Sequence, residues 1–327
     1  MGIPFTTEVK VKRSSFNFTG QTPVITLGSC FSDHIGGLLL KHKFFVRQNP
    51  FGVLYNPFSI SKALRFVLEN VEVGEEDLVF HNDLWHSFFF HGSFSSANIK
   101  EVLKNTNDAI RKTRSFLKKT DFLFVTFGTA WVYQYLKSGT IVANCHKIPA
   151  AEFRRFRLTV EDIFAEWETL IFLLKEFNPN LKIIFTVSPI RHLKDGAHEN
   201  QLSKSVLFLA IDKLMEKYNH LEYFPSYEIV HDELRDYRFY TDDMLHISEK
   251  AIRYLFGKFR DAYFTDDAIE YFNDMDGIVK AVEHRILTAN ENEAKKFAAN
   301  MLKRINMLQK KYPYVNFQLE KNHFENL

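Results

Sequence analysis

The chain has 327 residues, enough for one large domain with an appendage or for two small ones. Hydrophobic residues at 46% and charged residues at 25% are globular proportions that exclude disorder and a fibrous fold. A net charge of +2 gives no electrostatic reason to bind nucleic acid or an anionic membrane.

The two cysteines, Cys30 and Cys145, cannot build a disulfide framework and suit a reducing compartment. Residues 1–12 lack the apolar core of a signal peptide and no apolar run reaches the length of a membrane span, so a cytoplasmic location is expected. The 34 phenylalanines read as core rather than as an aromatic platform.

In chain order, residues 6–11 alternate weakly, as an edge strand or an extended arm. Val24-Ile25-Thr26-Leu27 is a buried strand that runs into Gly28-Ser29-Cys30. A helix follows to about residue 43, its apolar positions being Ile35, Leu38 and Leu39. Such a strand, turn and helix hold a side chain at the carboxyl edge of a sheet, against the unpaired N–H groups that open the helix. That setting favours the thiolate of a cysteine. Cys30 is therefore the leading nucleophile candidate, with Ser29 the alternative if the thiol is sealed in the core.

Residues 49–57 form a loop punctuated by Pro50, Gly52 and Pro57, and Ser59 is placed to cap a helix through residue 68. Residues 79–94 read as a hairpin or two short strands with His86, Phe88 and Phe90 on one face, and residues 98–117 as an amphipathic helix. Strands at 122–127, 182–187 and 221–224 then alternate with helices at 159–177, 200–219 and 248–263. Thr159 and Asp162 are spaced for a capping box.

This alternation predicts a three-layer α/β/α fold with a mainly parallel sheet, in which strands 24–27, 122–127 and 182–187 are neighbours. From residue 266 two charged helices, 268–287 and 291–311, precede an irregular tail from 312. The expected division is a main α/β domain at 1–265 and a helical extension at 266–327 packed on it. A coiled-coil arm is the alternative, although no strict heptad persists.

In open parallel sheets ligands bind beyond the carboxyl ends of the strands. The first strand end carries Gly28-Ser29-Cys30, the second Gly128-Thr129 and the third Ser188-Pro189-Ile190-Arg191-His192. Arg191 and His192 are candidates for substrate contact. No metal is expected: strand alternation separates His86 from His91, and Cys145-His146 lacks further ligands at zinc spacing.

Gly28-Ser29-Cys30-Phe31-Ser32 resembles the motif of the GSCFA family, with Ser32 in place of its alanine. Further phrases carry the resemblance from about residue 5 to 260. They are Asn49-Pro50-Phe51-Gly52-Val53-Leu54-Tyr55-Asn56-Pro57, Trp85-His86-Ser87, Phe127-Gly128-Thr129-Ala130-Trp131, Asn144-Cys145-His146-Lys147, the Ser188 phrase above, Arg235-Asp236-Tyr237-Arg238-Phe239-Tyr240 and Asp242-Asp243-Met244-Leu245-His246. That family is similar to SGNH (GDSL-like) hydrolases, so the resemblance implies an SGNH-like fold and acyl-ester chemistry. By it, Cys30 stands at the nucleophile, His246 at the general base and Asp243 at its orienting partner.

Two departures qualify the match. Ser29-Cys30 replaces the Asp-Ser of the hydrolases, and Gly128-Thr129-Ala130-Trp131 lacks their oxyanion asparagine. The N–H groups of Cys30 and Gly52 and the side chains of Asn56 and Thr129 are the candidate replacements. Gly128 and His146 enter as further substrate-contact candidates through their phrases. A proline is expected where this chain has Ile247.

The expected function is acyl hydrolysis or transfer on an ester or thioester, acylated carbohydrate included, with no cofactor and a small-molecule or carbohydrate partner. The alternative is a ligand-binding module that kept the cleft and lost the chemistry. Oligomeric state is left open.

Overall fold

The computed structural model describes residues 6–284 and 291–327. The strands among them are β1 (Val24–Gly28), β2 (Val46–Gln48), β3 (Leu78–His81), β4 (Leu84–Ser87), β5 (Phe122–Phe127), β6 (Trp131–Tyr135), β7 (Ile141–Val142), β8 (Phe153–Arg157), β9 (Lys182–Val187) and β10 (Leu221–Tyr223). The helices are α1 (Cys30–Lys41), α2 (Pro57–Glu69), α3 (Ile99–Leu117), α4 (Val160–Phe177), α5 (Gly196–Lys217), the single turn α6 (Ser226–Glu228), α7 (Glu249–Tyr263), α8 (Asp266–Glu283), α9 (Glu291–Lys311) and α10 (Gln318–Glu325).

The main sheet runs β10-β9-β5-β1-β2 with every pairing parallel. Val24 stands opposite Phe122, and Leu123 opposite Ile183, so the three strands expected to be neighbours are adjacent and in parallel register. Their largely apolar runs, interrupted by the buried Thr26, Thr126 and Thr186, follow from burial on both faces.

Alternation along each strand sends Val24, Phe122, Phe124 and Ile184 to one side, where they meet Ile35 and Leu39 of α1 and Phe259 of α7. Ile25, Leu27, Leu123, Val125 and Phe185 turn to the other side, against Leu64, Ile110, Trp167 and Leu207 from α2, α3, α4 and α5. Helices therefore cover both faces, as the three-layer expectation requires. The C-terminal helices join the first of these cores through Tyr271, Met275, Ile278, Ile305, Leu308 and Phe324. No helix among the described residues is long and apolar enough to cross a membrane.

The chain steps outward from β1 to β2 and then returns to the other side of β1 with β5. This reversal opens a crevice beyond the carboxyl ends of β1 and β5, which positions the site.

Several local expectations are corrected. Helix α2 is capped by Asn56, whose Oδ1 accepts from the Ser59 N–H at 2.8 Å, so Ser59 lies inside the helix rather than at its cap. The hairpin strands end at Ser87, after a turn with positive φ at Asn82 and Asp83. Phe88 and Phe90 consequently join different apolar clusters instead of sharing a face with His86. Helix α5 begins at Gly196, before residue 200. The extension helix expected at 268–287 starts at Asp266 behind a Thr265 cap, and its expected residues 285–287 lie outside the described residues. The tail expected to be irregular contains α10. Residues 6–11 form no strand. Strand β2 and the antiparallel sheet β7-β6-β8 were not expected at all.

Candidate active site

The site starts at a glycine. Gly28 ends β1 at φ 129°, and a Cβ there would lie 2.2 Å from the Thr126 carbonyl oxygen of β5, so only glycine fits. Its N–H donates to Asn49 Oδ1 at 2.9 Å, while Asn49 Nδ2 donates to Asp33 Oδ1 at 2.8 Å. The end of β2 and the first turn of α1 are thereby tied to the same turn. Ser29 is buried and caps α1, its Oγ accepting from the Phe31 N–H at 3.4 Å. Ser32 Oγ is buried too and donates to the Leu27 carbonyl at 2.8 Å.

Cys30 is the first residue of α1 and half-buried, with its Sγ 3.7 Å from the Tyr55 hydroxyl. The Cys30 N–H has no acceptor among the described residues, as the first N–H of a helix commonly does not. Burial, with Cys30 and Asp33 nearby, pushes the Tyr55 phenol well above its usual range, which keeps it a neutral donor. The Tyr55 carbonyl accepts from the N–H groups of Gly128 at 2.7 Å and Thr129 at 3.1 Å, and its ring packs edge-on to His192 at 5.8 Å.

Asp243 and His246 form a compact loop. His246 Nδ1 lies 2.5 Å from Asp243 Oδ2, while Asp243 Oδ1 accepts from Thr241 Oγ1 at 2.8 Å and from the N–H groups of Leu245 and His246 at 2.9 Å. The His246 contact and these donors hold the carboxylate well below its usual range. The two-residue spacing is closed by Met244 at φ 58°. Thr241 N–H donates back to the His246 carbonyl at 2.8 Å, and Ser248 caps α7. Ile247, where proline was expected, is buried in the core and anchors the loop by packing.

Cys30, His246, Ser29, Asn56, Thr129, Arg191 and His192 line one cleft of about 640 Å³, together with Tyr55, Trp131, Tyr133 and Cys145. Two histidines at or near it are driven toward the neutral form. Burial, helped by Lys204 and His246, pushes His192 down to about 4. His34 is also lowered, by burial first. Beneath the cleft the buried Lys204 donates from Nζ to the carbonyls of Gly128 at 2.6 Å and Ser188 at 2.8 Å, tying the carboxyl ends of β5 and β9. Burial, then Arg191, lowers it to about 7.

Other candidates stand elsewhere or are occupied. Gly52 does not line the cleft. Its N–H donates to the Asn49 carbonyl at 2.8 Å and its φ of 72° serves that turn. Gly128 is also outside the lining, its N–H held by Tyr55. Thr129 Oγ1 is 3.1 Å from Ser203 Oγ and accepts from the Trp131 N–H. His146 is buried behind the cleft, stacked on His86 at 4.3 Å with Nε2 donating to the Ser87 carbonyl at 2.8 Å, and burial pushes it down to about 4. Of the expected oxyanion donors, the Cys30 N–H and Asn56 Nδ2 remain without partners among the described residues.

Tyr55 and Lys204 were missed. Tyr55 stood inside a phrase already singled out, whereas Lys204 has no local sequence signal. No group of three or more metal-ligating side chains appears among the described residues.

The GSCFA family model matches residues 23–259, and the model described as GSCFA domain protein, C-terminal domain, matches residues 275–327. A comparison with curated proteins gives no match. Among solved structures, the chain is similar to a Clostridium thermocellum family 3 carbohydrate esterase at 11% identity and TM-score 0.32, covering 77% of this chain and 98% of that one. A carbohydrate esterase family 3 structure from Talaromyces cellulolyticus matches at 8% identity and TM-score 0.32, covering 78% and 99%.

Proposed function

The chain belongs to the GSCFA family, and from that premise we propose that it is an acyl-ester hydrolase or acyltransferase using Cys30, His246 and Asp243. The observation that carries the reading is the pairing in one cleft of a cysteine at a helix N-terminus with a histidine held by a carboxylate at 2.5 Å. His246 takes the Cys30 thiol proton as Sγ attacks the acyl carbonyl, and the Cys30 N–H and Asn56 Nδ2 receive the oxyanion. The C–O bond breaks, the alcohol leaves with a proton from His246, and a thioester remains. Water or a second alcohol then attacks the thioester, gives its proton to His246 and releases the acid or the new ester. Asp243 fixes the ring so that Nε2 faces the reacting atoms and stabilises the imidazolium. A cleft with Trp131, Tyr133 and polar groups suits an acylated carbohydrate, and two free thiols suit a reducing compartment.

One observation favours the second reading, a ligand-binding module: the recorded partner of Cys30 Sγ is the Tyr55 hydroxyl, not His246. Single-turnover acylation by 4-nitrophenyl acetate, followed by intact mass, separates the two. On the catalytic reading, wild type gains one acyl group and Cys30→Ala gains none. His246→Ala slows acylation by about 10²–10⁴, and Asp243→Asn costs as much or less. Equal acylation of wild type, His246→Ala and Asp243→Asn overturns catalysis in favour of binding.

A further inference from the structure

The phrase Arg235-Asp236-Tyr237-Arg238-Phe239-Tyr240 has no part in the acyl site, yet it builds a second hollow of about 270 Å³. That hollow shares Arg191, Leu193 and Leu245 with the first cleft, so the two adjoin. Its far wall follows a π-helical turn, Ile229–Leu234, that ends on Arg235 at φ 27°, a left-handed conformation unusual for arginine.

The charges in this hollow are unbalanced. Asp236 is committed to Arg238, accepting its N–H on Oδ1 at 2.9 Å and facing its Nε at 3.5 Å from Oδ2. The Arg235 guanidinium has no partner among the described residues, its backbone N–H alone being held, by the Val230 carbonyl at 3.2 Å. Arg191 is exposed and makes one recorded hydrogen bond, from Nη2 to His231 Nδ1 at 3.3 Å. His231 is itself oriented: its Nε2 donates to the Pro189 carbonyl at 2.8 Å, which leaves Nδ1 as the acceptor for Arg191 and for the Tyr240 hydroxyl at 3.4 Å. A guanidinium held by one hydrogen bond to an imidazole has most of its donors free, and a second guanidinium, that of Arg235, lines the same hollow. This is the geometry that recognises a carboxylate or phosphate by forked hydrogen bonds.

From these contacts we infer that the hollow is an anion subsite of the cleft. It holds a carboxylate or phosphate group carried by the substrate while the ester lies at Cys30, so the natural substrate is an acidic ester such as an acylated uronate or sugar phosphate. The inference rests on reading the cleft as the acyl site, but binding tests it apart from catalysis. Full-length Cys30→Ala protein, which lacks the proposed nucleophile, is titrated calorimetrically with glucuronate, inorganic phosphate and glucose.

At least one anion should bind ten-fold or more tightly than glucose and weaken as salt is added. Tighter glucuronate identifies a uronate source and tighter phosphate a phosphorylated one. In that background Arg191→Ala and Arg235→Ala should each cost ten-fold or more, and the lysine variants less. Glucose binding as tightly as both anions, or anion binding indifferent to both arginines, overturns the subsite. Anion binding in a protein that fails the acylation test leaves the subsite standing and refutes only the acyl chemistry.

Discussion

The two cysteines of this chain line the same cleft, and their surroundings differ. Cys30 opens α1, beside a backbone N–H that nothing occupies and a phenol that can donate to sulfur. Cys145 lies in a loop where burial pushes the thiol up, with Lys194 opposing only in part. The thiolate is the nucleophile in alkylation, so these settings predict different rates. With iodoacetamide at pH 7.5, Cys30 should be modified at least ten-fold faster than Cys145, read by peptide mapping of briefly labelled protein. Preferential labelling of Cys145 would sink the assignment of Cys30 as the activated thiol. Ser29 is no ready substitute, since its hydroxyl is buried and caps the helix.

At the scale of elements, the site depends on the turn from β1 into α1. Gly28→Ala forces a Cβ to within 2.2 Å of the Thr126 carbonyl in a backbone conformation that alanine rarely adopts. A cost of about 2 kcal/mol or more is expected, visible as a lower urea midpoint, together with a changed rate of Cys30 alkylation. A variant as stable and as reactive as wild type would show that the turn does not constrain the site. The same turn shows what was legible in the sequence. Strands β1, β5 and β9 announce themselves because burial on both faces demands largely apolar runs, and Gly28 marks where the first must end. The Asp243–His246 loop was legible from spacing and resemblance. Strand β2 was not, because it has three residues, none fully buried. The β7-β6-β8 sheet mixes aromatic and polar positions over short lengths, and its place on the cleft wall is set by long-range packing. Tyr55 and Lys204 matter through contacts far from them in the chain, Cys30 and Gly128 for the one and Gly128 and Ser188 for the other, and no local pattern encodes those.

For the whole molecule, the consequence lies in how burial tunes charge. His146, His192 and His231 are each pushed to about 4, burial being the largest cause in every case. In the unfolded chain a histidine titrates near 6.5. Between about pH 6.5 and 4 the unfolded state therefore binds more protons than the fold, and stability falls as pH falls through that window. The slope is at most about 1.4 kcal/mol per pH unit for each histidine. Lys204 extends the trend upward. Lowered to about 7, it loses its proton in the fold while the unfolded lysine keeps one up to about 10.4, so stability should go on rising above neutrality. Urea midpoints at pH 4.5, 5.5, 7 and 9 should increase along the series, and Lys204→Met should flatten the step from 7 to 9 while leaving the acid limb in place. A midpoint unchanged between pH 4.5 and 7 would mean that these histidines are not neutral in the fold, and with that the electrostatic description of the cleft and of the guanidinium held by His231 would fail.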